Sequence, residues 1–144
     1  MKKILIISYF FPPCNLTASQ RVSSWAKYLN KSGYYPIVIT RKWEKNVKSF
    51  KDCHYSTTPQ VLVEKNENYE VHFCPYKANF RDRLHTKDKM SFLKKTLSFF
   101  EIIFQNFLFN FCPFSNMYYH ANDLIKQNPE IKAIVVSGNP FIQF

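Results

Sequence analysis

A short apolar run that ends at a pair of prolines constrains the fold of this chain more than any other feature. Residues 3–8 read Lys-Ile-Leu-Ile-Ile-Ser, which is typical of a strand buried on both faces of a parallel sheet. Pro12 and Pro13 cannot continue the ladder of a sheet, so a loop over 9–17 follows the strand. Apolar residues at helical spacing then predict a helix over 18–31. The chain therefore opens with a strand–helix unit whose functional loop lies at the carboxyl end of the strand.

The rest of the chain continues the alternation of strands and helices. Gly33 ends the first helix and residues 35–40 form a second apolar strand, so the first two strands should be parallel and joined by a right-handed crossover. We predict two more strands, over 69–74 and 131–137, and two more helices, over 90–111 and 115–128. Between them lie a long polar loop over 41–68, with room for a short helix or hairpin, and a basic loop over 75–89.

These elements predict an α/β fold, a Rossmann-like three-layer sandwich with a mostly parallel sheet, in a single domain over residues 1–144. The length of 144 residues suffices for one domain with a core but not for two. A doubly wound sheet should pass from its last strand through a loop into another helix, and this chain stops in that loop. We therefore expect the domain to be a truncated part of a longer protein.

The formal net charge of +10 favours an acidic partner. Most of the 20 basic residues are Lys, whereas proteins that read nucleic acids rely on Arg, so we expect no nucleic-acid partner. An anionic membrane surface stays open as a partner, beside the alternative that the lysines only reflect compositional bias.

The cysteines give no sign of a metal site or of disulfides. Cys14, Cys53, Cys74 and Cys112 contain no Cys-x-x-Cys pair and no zinc-finger spacing with a histidine. The apolar run at the start is too short for a signal peptide and has no small-residue cleavage site. We expect reduced thiols and a cytoplasmic protein, with a peripheral position on the inner face of the plasma membrane as an open possibility.

Four segments resemble the N-terminal domain of family 4 retaining glycosyltransferases of the GT-B fold. They are the opening strand with its aromatic-Pro-Pro loop (3–13), the Ser19-x-Arg21 helix start with Trp25-Ala26-Lys27-Tyr28-Leu29, the Gly-Tyr-Tyr-Pro-Ile-Val-Ile-Thr strand (33–40) and the Ile-Val-Val-Ser-Gly-Asn-Pro segment (134–140). Many relatives have a Gly in the first loop, where this chain reads Cys14-Asn15-Leu16-Thr17-Ala18, and Phe141 stands where the later loop has a second Pro.

The resemblance implies the acceptor-side half of an enzyme that transfers a sugar from a nucleotide-sugar donor to a glycan or lipid-linked acceptor, in cell-surface polysaccharide synthesis. It implies no metal and no cofactor in this chain. The donor would be held by a C-terminal domain that this chain lacks, so we expect the chain to be inactive alone. The alternative is a non-catalytic α/β domain that binds an anionic membrane surface or a protein partner.

The resemblance also places candidate cleft residues in the loops after the first and last predicted strands. These residues are Pro12, Pro13, Asn15, Ser19, Arg21, Asn139 and Pro140. Arg21 and the helix start would stabilise the leaving diphosphate. Each has an ordinary alternative: Arg21 as a surface residue, Ser19 as a helix N-cap and Asn139 as a turn residue. The sequence names no catalytic base, and His120 is expected to be structural.

The helix predicted over 90–111 has a wide apolar face and a narrow polar stripe at three-four spacing. The stripe comprises Ser91, Lys94, Ser98, Glu101 and Gln105. One interpretation is an interfacial helix whose lysines, Lys87, Lys89, Lys94 and Lys95, face lipid phosphates while Phe and Ile enter the acyl boundary. The other is a helix packed against the sheet, with solvated lysines.

Overall fold

The computed structural model describes residues 1–43, 54–85, 92–108 and 112–137, and within these ranges five strands form a single sheet. The strands are β1 (Lys2–Ser8), β2 (Tyr34–Arg41), β3 (Leu62–Lys65), β4 (Glu70–Cys74) and β5 (Ile131–Ser137). The helices are α1 (Thr17–Tyr28), α2 (Phe80–His85), α3 (Phe92–Phe107) and α4 (Ser115–Gln127), and a 3₁₀ turn spans Leu29–Ser32.

The sheet has the order β3-β4-β2-β1-β5, and every pairing is parallel except the β3–β4 hairpin. The α/β class and the mostly parallel sheet are therefore confirmed. Ser8, at the end of β1, lies opposite Thr40 on one side and Ser137 on the other. Since parallel strands end at the same edge, the chain leaves β1, β2, β4 and β5 at one edge, which we call the carboxyl edge.

Helices cover the two faces of the sheet through separate apolar clusters. Val22 and Ala26 of α1 pack on the face that carries Ile4 and Ile6 of β1. On the other face Met117, Ala121 and Leu124 of α4 pack against Leu5, Ile37, Ile39 and Cys74. The alternation of β1 side chains between the two clusters explains why its apolar run is continuous, because a central parallel strand buries both of its faces.

Gly33 ends the first helical segment, as the sequence predicts. Its φ is +82°, in the left-handed region that L side chains rarely adopt, and its N–H donates to the carbonyl of Asn30 at 3.0 Å. This geometry reverses the chain directly into β2, which begins at the next residue.

Two segments predicted as loops contain regular structure. The segment 41–68 contributes β3, which pairs antiparallel with β4, while its residues 44–53 lie outside the described part. The basic loop over 75–89 contains α2. Asn79 and Asp82 cap this helix reciprocally: the N–H of Asp82 donates to Asn79 Oδ1 at 2.9 Å, and the N–H of Asn79 donates to Asp82 Oδ2 at 3.0 Å. An Asn-x-x-Asp sequence is a recognisable capping signal, so this helix start was open to prediction.

Substitution of one isoleucine in β1 and one in β5 tests whether β1 is central and β5 is at the end of the sheet. Ile6 is fully buried, whereas Ile134 is 51% exposed. We expect Ile6→Ala to lower the free energy of unfolding by about 3 kcal/mol, because it removes buried methyl groups and leaves a cavity. Ile134→Ala should cost less than about 1 kcal/mol. Urea unfolding followed by circular dichroism measures both, and equal losses would contradict the strand order.

Candidate functional site at the carboxyl edge

An aromatic cluster joins the loops that leave the sheet at the carboxyl edge. Tyr9 and Phe10 follow β1, Trp43 follows β2 and Tyr76 follows β4, and all four are buried. Tyr9 meets Trp43 edge-on with ring centroids 5.3 Å apart, and it meets Phe114, just before α4, at 5.0 Å. Aromatic pairs at these distances attract one another beyond the burial of their area. The cluster therefore fixes the loops relative to each other and forms the floor of this edge.

Arg41, the last residue of β2, lies inside this aromatic cluster and is only 2% exposed. Its guanidinium carbon is 3.5 Å from the ring centroid of Tyr76 and 4.3 Å from that of Trp43. It donates hydrogen bonds to the hydroxyl of Tyr9 and, at 2.9 Å, to the carbonyl of Tyr55. Cation–π contacts and hydrogen bonds offset part of the cost of removing this charge from water.

A buried carboxylate lies at the far end of Tyr76. The Tyr76 hydroxyl donates to Asp82 Oδ2 at 2.6 Å, and His54 Nδ1 lies 2.7 Å from Asp82 Oδ1. Burial is the main cause that raises the pKa of Tyr76, and Asp82 adds to it, so the hydroxyl stays protonated and donates. Tyr76 thus lies between the cation of Arg41 and the anion of Asp82. Asp82 also holds the imidazole of His54 beside this edge.

A cavity of about 600 Å³ opens beside the aromatic cluster. The segments 56–59, 75–79 and 112–116 line it, so it lies between the loop after β4 and the start of α4. Several of its polar groups already serve the protein: Ser56 Oγ accepts from the N–H of Ala78 at 2.9 Å, and Asn116 Nδ2 donates to the carbonyl of Pro75. Its volume suits a small ligand, and its place matches the edge at which open α/β sheets bind ligands.

The predicted cleft residues of the first loop occupy this same edge. Pro12, Pro13 and Asn15 are exposed in the loop between β1 and α1, and Arg21 is exposed on α1. The first turn of α1 carries no acidic residue, and its N-cap residue, Leu16, makes no side-chain capping bond. Backbone N–H groups and the positive end of the helix dipole therefore face this loop.

Ser19 is not the N-cap of α1, so that alternative was wrong. The helix begins at Thr17, and the buried Ser19 Oγ lies 2.7 Å from the carbonyl oxygens of both Cys14 and Leu16, so its one proton is donated to either of them. Ser19 therefore holds the loop against the helix start, which positions the neighbouring exposed groups.

The remaining predicted site residues lie mostly outside the described part of the chain. This holds for Asn139 and Pro140. The strand that precedes them, β5, is described, and it ends at Ser137, opposite Ser8. Lys87 and Lys89 also lie outside the described part. Of the other two lysines, Lys94 is placed on α3 by its backbone, and the side chain of Lys95 is exposed.

A second titratable group lies on the α4 face of the sheet. His72 Nε2 is 2.7 Å from Glu70 Oε1, and His72 Nδ1 is 2.8 Å from His120 Nε2. A carboxylate oxygen can only accept, so His72 Nε2 carries a proton. Burial acts to raise the pKa of Glu70, but the hydrogen bond and charge of His72 outweigh it and hold that pKa below its ordinary value. His120 thus has a partner in His72, which the spacing of the two residues in the sequence did not indicate.

The described thiols are poor nucleophiles. Cys14, Cys74 and Cys112 are buried and free, and burial raises the pKa of each, that of Cys74 to about 12. Within the described ranges no group of three or more His, Cys, Asp or Glu side chains is arranged to hold a metal ion.

Comparisons with protein-family models, with curated proteins and with solved structures gave no match for this chain. In the part of the chain that the structure describes, no helix has the length and apolar character needed to cross a membrane.

Sequence reasoning missed the buried charges of this edge. Arg41 was assigned to the start of a polar loop, and no spacing rule connects it with Tyr9 or Tyr76, which are distant in sequence. His54 and Asp82 are likewise 28 positions apart. The aromatic residues that follow β1 and β4 were the one available signal, because large apolar side chains directly after a strand end pack with those of neighbouring loops.

His120 supplies a pH test of the α4 face. Burial, and then the charge of His72, lower its pKa, while Asp123 acts in the opposite direction. The unfolded chain therefore binds more protons than the folded protein below the ordinary histidine pKa of 6.5, so stability should fall as the pH drops through that value. We expect His120→Gln to reduce the loss of stability between pH 7.5 and pH 5.5, measured by urea unfolding. Tyr119→Gln, on the same helix, is the control, and an unchanged loss in His120→Gln would contradict this assignment.

Proposed function

We propose that this chain is the acceptor-side half of a GT-B glycosyltransferase, a Rossmann-like three-layer domain whose carboxyl edge forms one wall of a cleft. The observation that carries the proposal is the convergence of three features at one edge: the exposed proline loop, the first turn of α1 and the cavity beside Tyr76. Open α/β sheets bind their ligands at this edge.

The first loop and α1 supply the electrostatic part of the proposed reaction. Sugar transfer from a nucleotide donor builds negative charge on the leaving diphosphate, and groups already oriented toward that charge lower the barrier. The uncapped N–H groups of α1 and the planar guanidinium of Arg21, one turn further along, are suited to a diphosphate. Asn15 adds an exposed amide to the same loop.

The cavity supplies the proposed acceptor subsite. Tyr76, Pro75 and Pro113 offer apolar walls of the kind on which a sugar ring packs, and Asn79, Ser115 and Asn116 place polar groups at the rim. The buried network of Arg41, Tyr76 and Asp82 lies directly behind this wall and keeps it rigid. In this proposal Asp82, which also accepts from the Tyr76 hydroxyl, orients the imidazole of His54.

The second wall of the cleft would come from a donor-binding lobe with which this domain pairs. On β5, at the end of the sheet, Ile134 and Val136 are about half exposed, at 51% and 45%, on the face that carries Leu5 and Ile7. An apolar edge strand of this kind normally needs cover.

A titration with nucleoside diphosphates tests the proposed role of α1. We expect UDP or GDP, added to the isotope-labelled chain, to shift the amide resonances of residues 14–21. Arg21→Ala should weaken this binding about tenfold, because it removes a charge-assisted hydrogen bond. Lys27→Ala is the matched control, since Lys27 is an exposed cation at the other end of the same helix.

Two results would contradict this role of α1. One is that neither nucleotide shifts the resonances of the first loop. The other is that Lys27→Ala weakens binding as much as Arg21→Ala, because a general attraction of the basic chain for anions would then account for the binding.

A further inference from the structure

The helix α3 is turned the opposite way from an ordinary surface helix. Ser98 and Gln105 of its polar stripe are buried, at 7% and 8% exposure. Between them Glu101 is half-buried, and Gln105 Nε2 donates to its Oε1 at 3.3 Å. No residue of α3 belongs to the apolar clusters of the described core, and its main neighbour is α2. The polar side of the helix therefore faces the protein.

The opposite side of α3 is an exposed row of large apolar residues, which we call the aromatic face. Its members are Phe92, Phe99, Phe100, Phe104 and Phe107, with exposures from 53% to 86%. Helical spacing places these residues on one side of the helix, and Ile103 lies among them. A contiguous exposed patch of this kind marks a contact surface rather than a normal solvent-facing helix.

The charges around the aromatic face are positive. Lys95 is exposed at its flank, and Arg83 is exposed on the neighbouring α2. Glu101 is the one acidic residue of the α3 sequence, and it lies on the inward side. The whole chain carries a net charge of +10, so two copies repel each other while an anionic surface attracts the chain.

We propose that the aromatic face of α3 docks on an anionic lipid bilayer, with the helix lying in the plane of the membrane surface. The 16 residues of α3 span about 24 Å, and an apolar row of this length beside exposed cations suits the surface of an anionic bilayer. The phenylalanine rings enter the boundary between headgroups and acyl chains, and Lys95 and Arg83 meet the lipid phosphates. This docking is independent of glycosyl transfer.

Vesicle sedimentation tests the docking with two matched pairs of substitutions. The whole chain should bind vesicles that contain phosphatidylglycerol, and bind pure phosphatidylcholine vesicles far more weakly. Phe104→Ser with Phe107→Ser should weaken binding to the anionic vesicles at least about tenfold, because two apolar rings lose their burial. Tyr28→Ser with Tyr118→Ser removes two exposed aromatic rings from α1 and α4, and it should change binding less than about twofold.

The depth of insertion gives a second readout that does not depend on removing apolar residues. Phe104→Trp places a tryptophan on the aromatic face, and lipids brominated on their acyl chains should quench its fluorescence. The fluorescence of the tryptophan in Tyr28→Trp should not be quenched. Circular dichroism of all variants should match that of the parent, since the substituted side chains are exposed.

Each of three vesicle results would overturn the docking: no binding of the parent to anionic vesicles, equal binding by the Phe104/Phe107 variant, or equal quenching at positions 28 and 104. Self-association that the same two substitutions abolish, measured by sedimentation equilibrium without lipid, would assign the aromatic face to contacts between copies and would equally overturn it. None of these results bears on nucleotide binding at α1.

Discussion

β1 pairs with a parallel strand on each side, and this pairing sets where the loops and helices of the domain lie. Ser8 lies opposite both Thr40 and Ser137, so the ends of three strands meet at one edge. The same pairing buries both faces of β1, which places α1 and α4 on opposite sides of the sheet. Every feature assigned to the carboxyl edge, from the proline loop to the cavity, follows from where these strands end.

The burial of Arg41 adds rigidity to that edge. A guanidinium removed from water is costly, and the structure offsets the cost by surrounding it with Tyr9, Trp43 and Tyr76 and by giving it oxygen acceptors. Because these three rings come from three loops, the charge can be accommodated only when all three loops are in place. The edge is therefore an ordered surface beside the cavity, which lowers the conformational entropy that the protein loops would lose when a ligand binds.

Local sequence patterns predicted the features of the fold that are set by residues close together in the sequence. The apolar run of β1, the glycine stop at Gly33 and the β–α–β order follow from periodicity and turn chemistry, and the structure confirms them. The sequence did not predict the orientation of α3. A helix with one polar and one apolar side can pack against the protein with either side, and here the polar side is buried. Arg41 and the contact of His72 with His120 also depend on tertiary placement, since 48 positions separate the two histidines.

Crystals soaked with nucleotide sugars and oligosaccharides would show whether ligands bind at the carboxyl edge. We expect ligand density there, between the first turn of α1 and the cavity beside Tyr76. Another cavity, of about 480 Å³, lies at the opposite edge of the sheet and is lined by Met1, Gly33 and Glu130 among others. Density confined to that opposite edge would show that the carboxyl edge is not the ligand-binding side of this sheet.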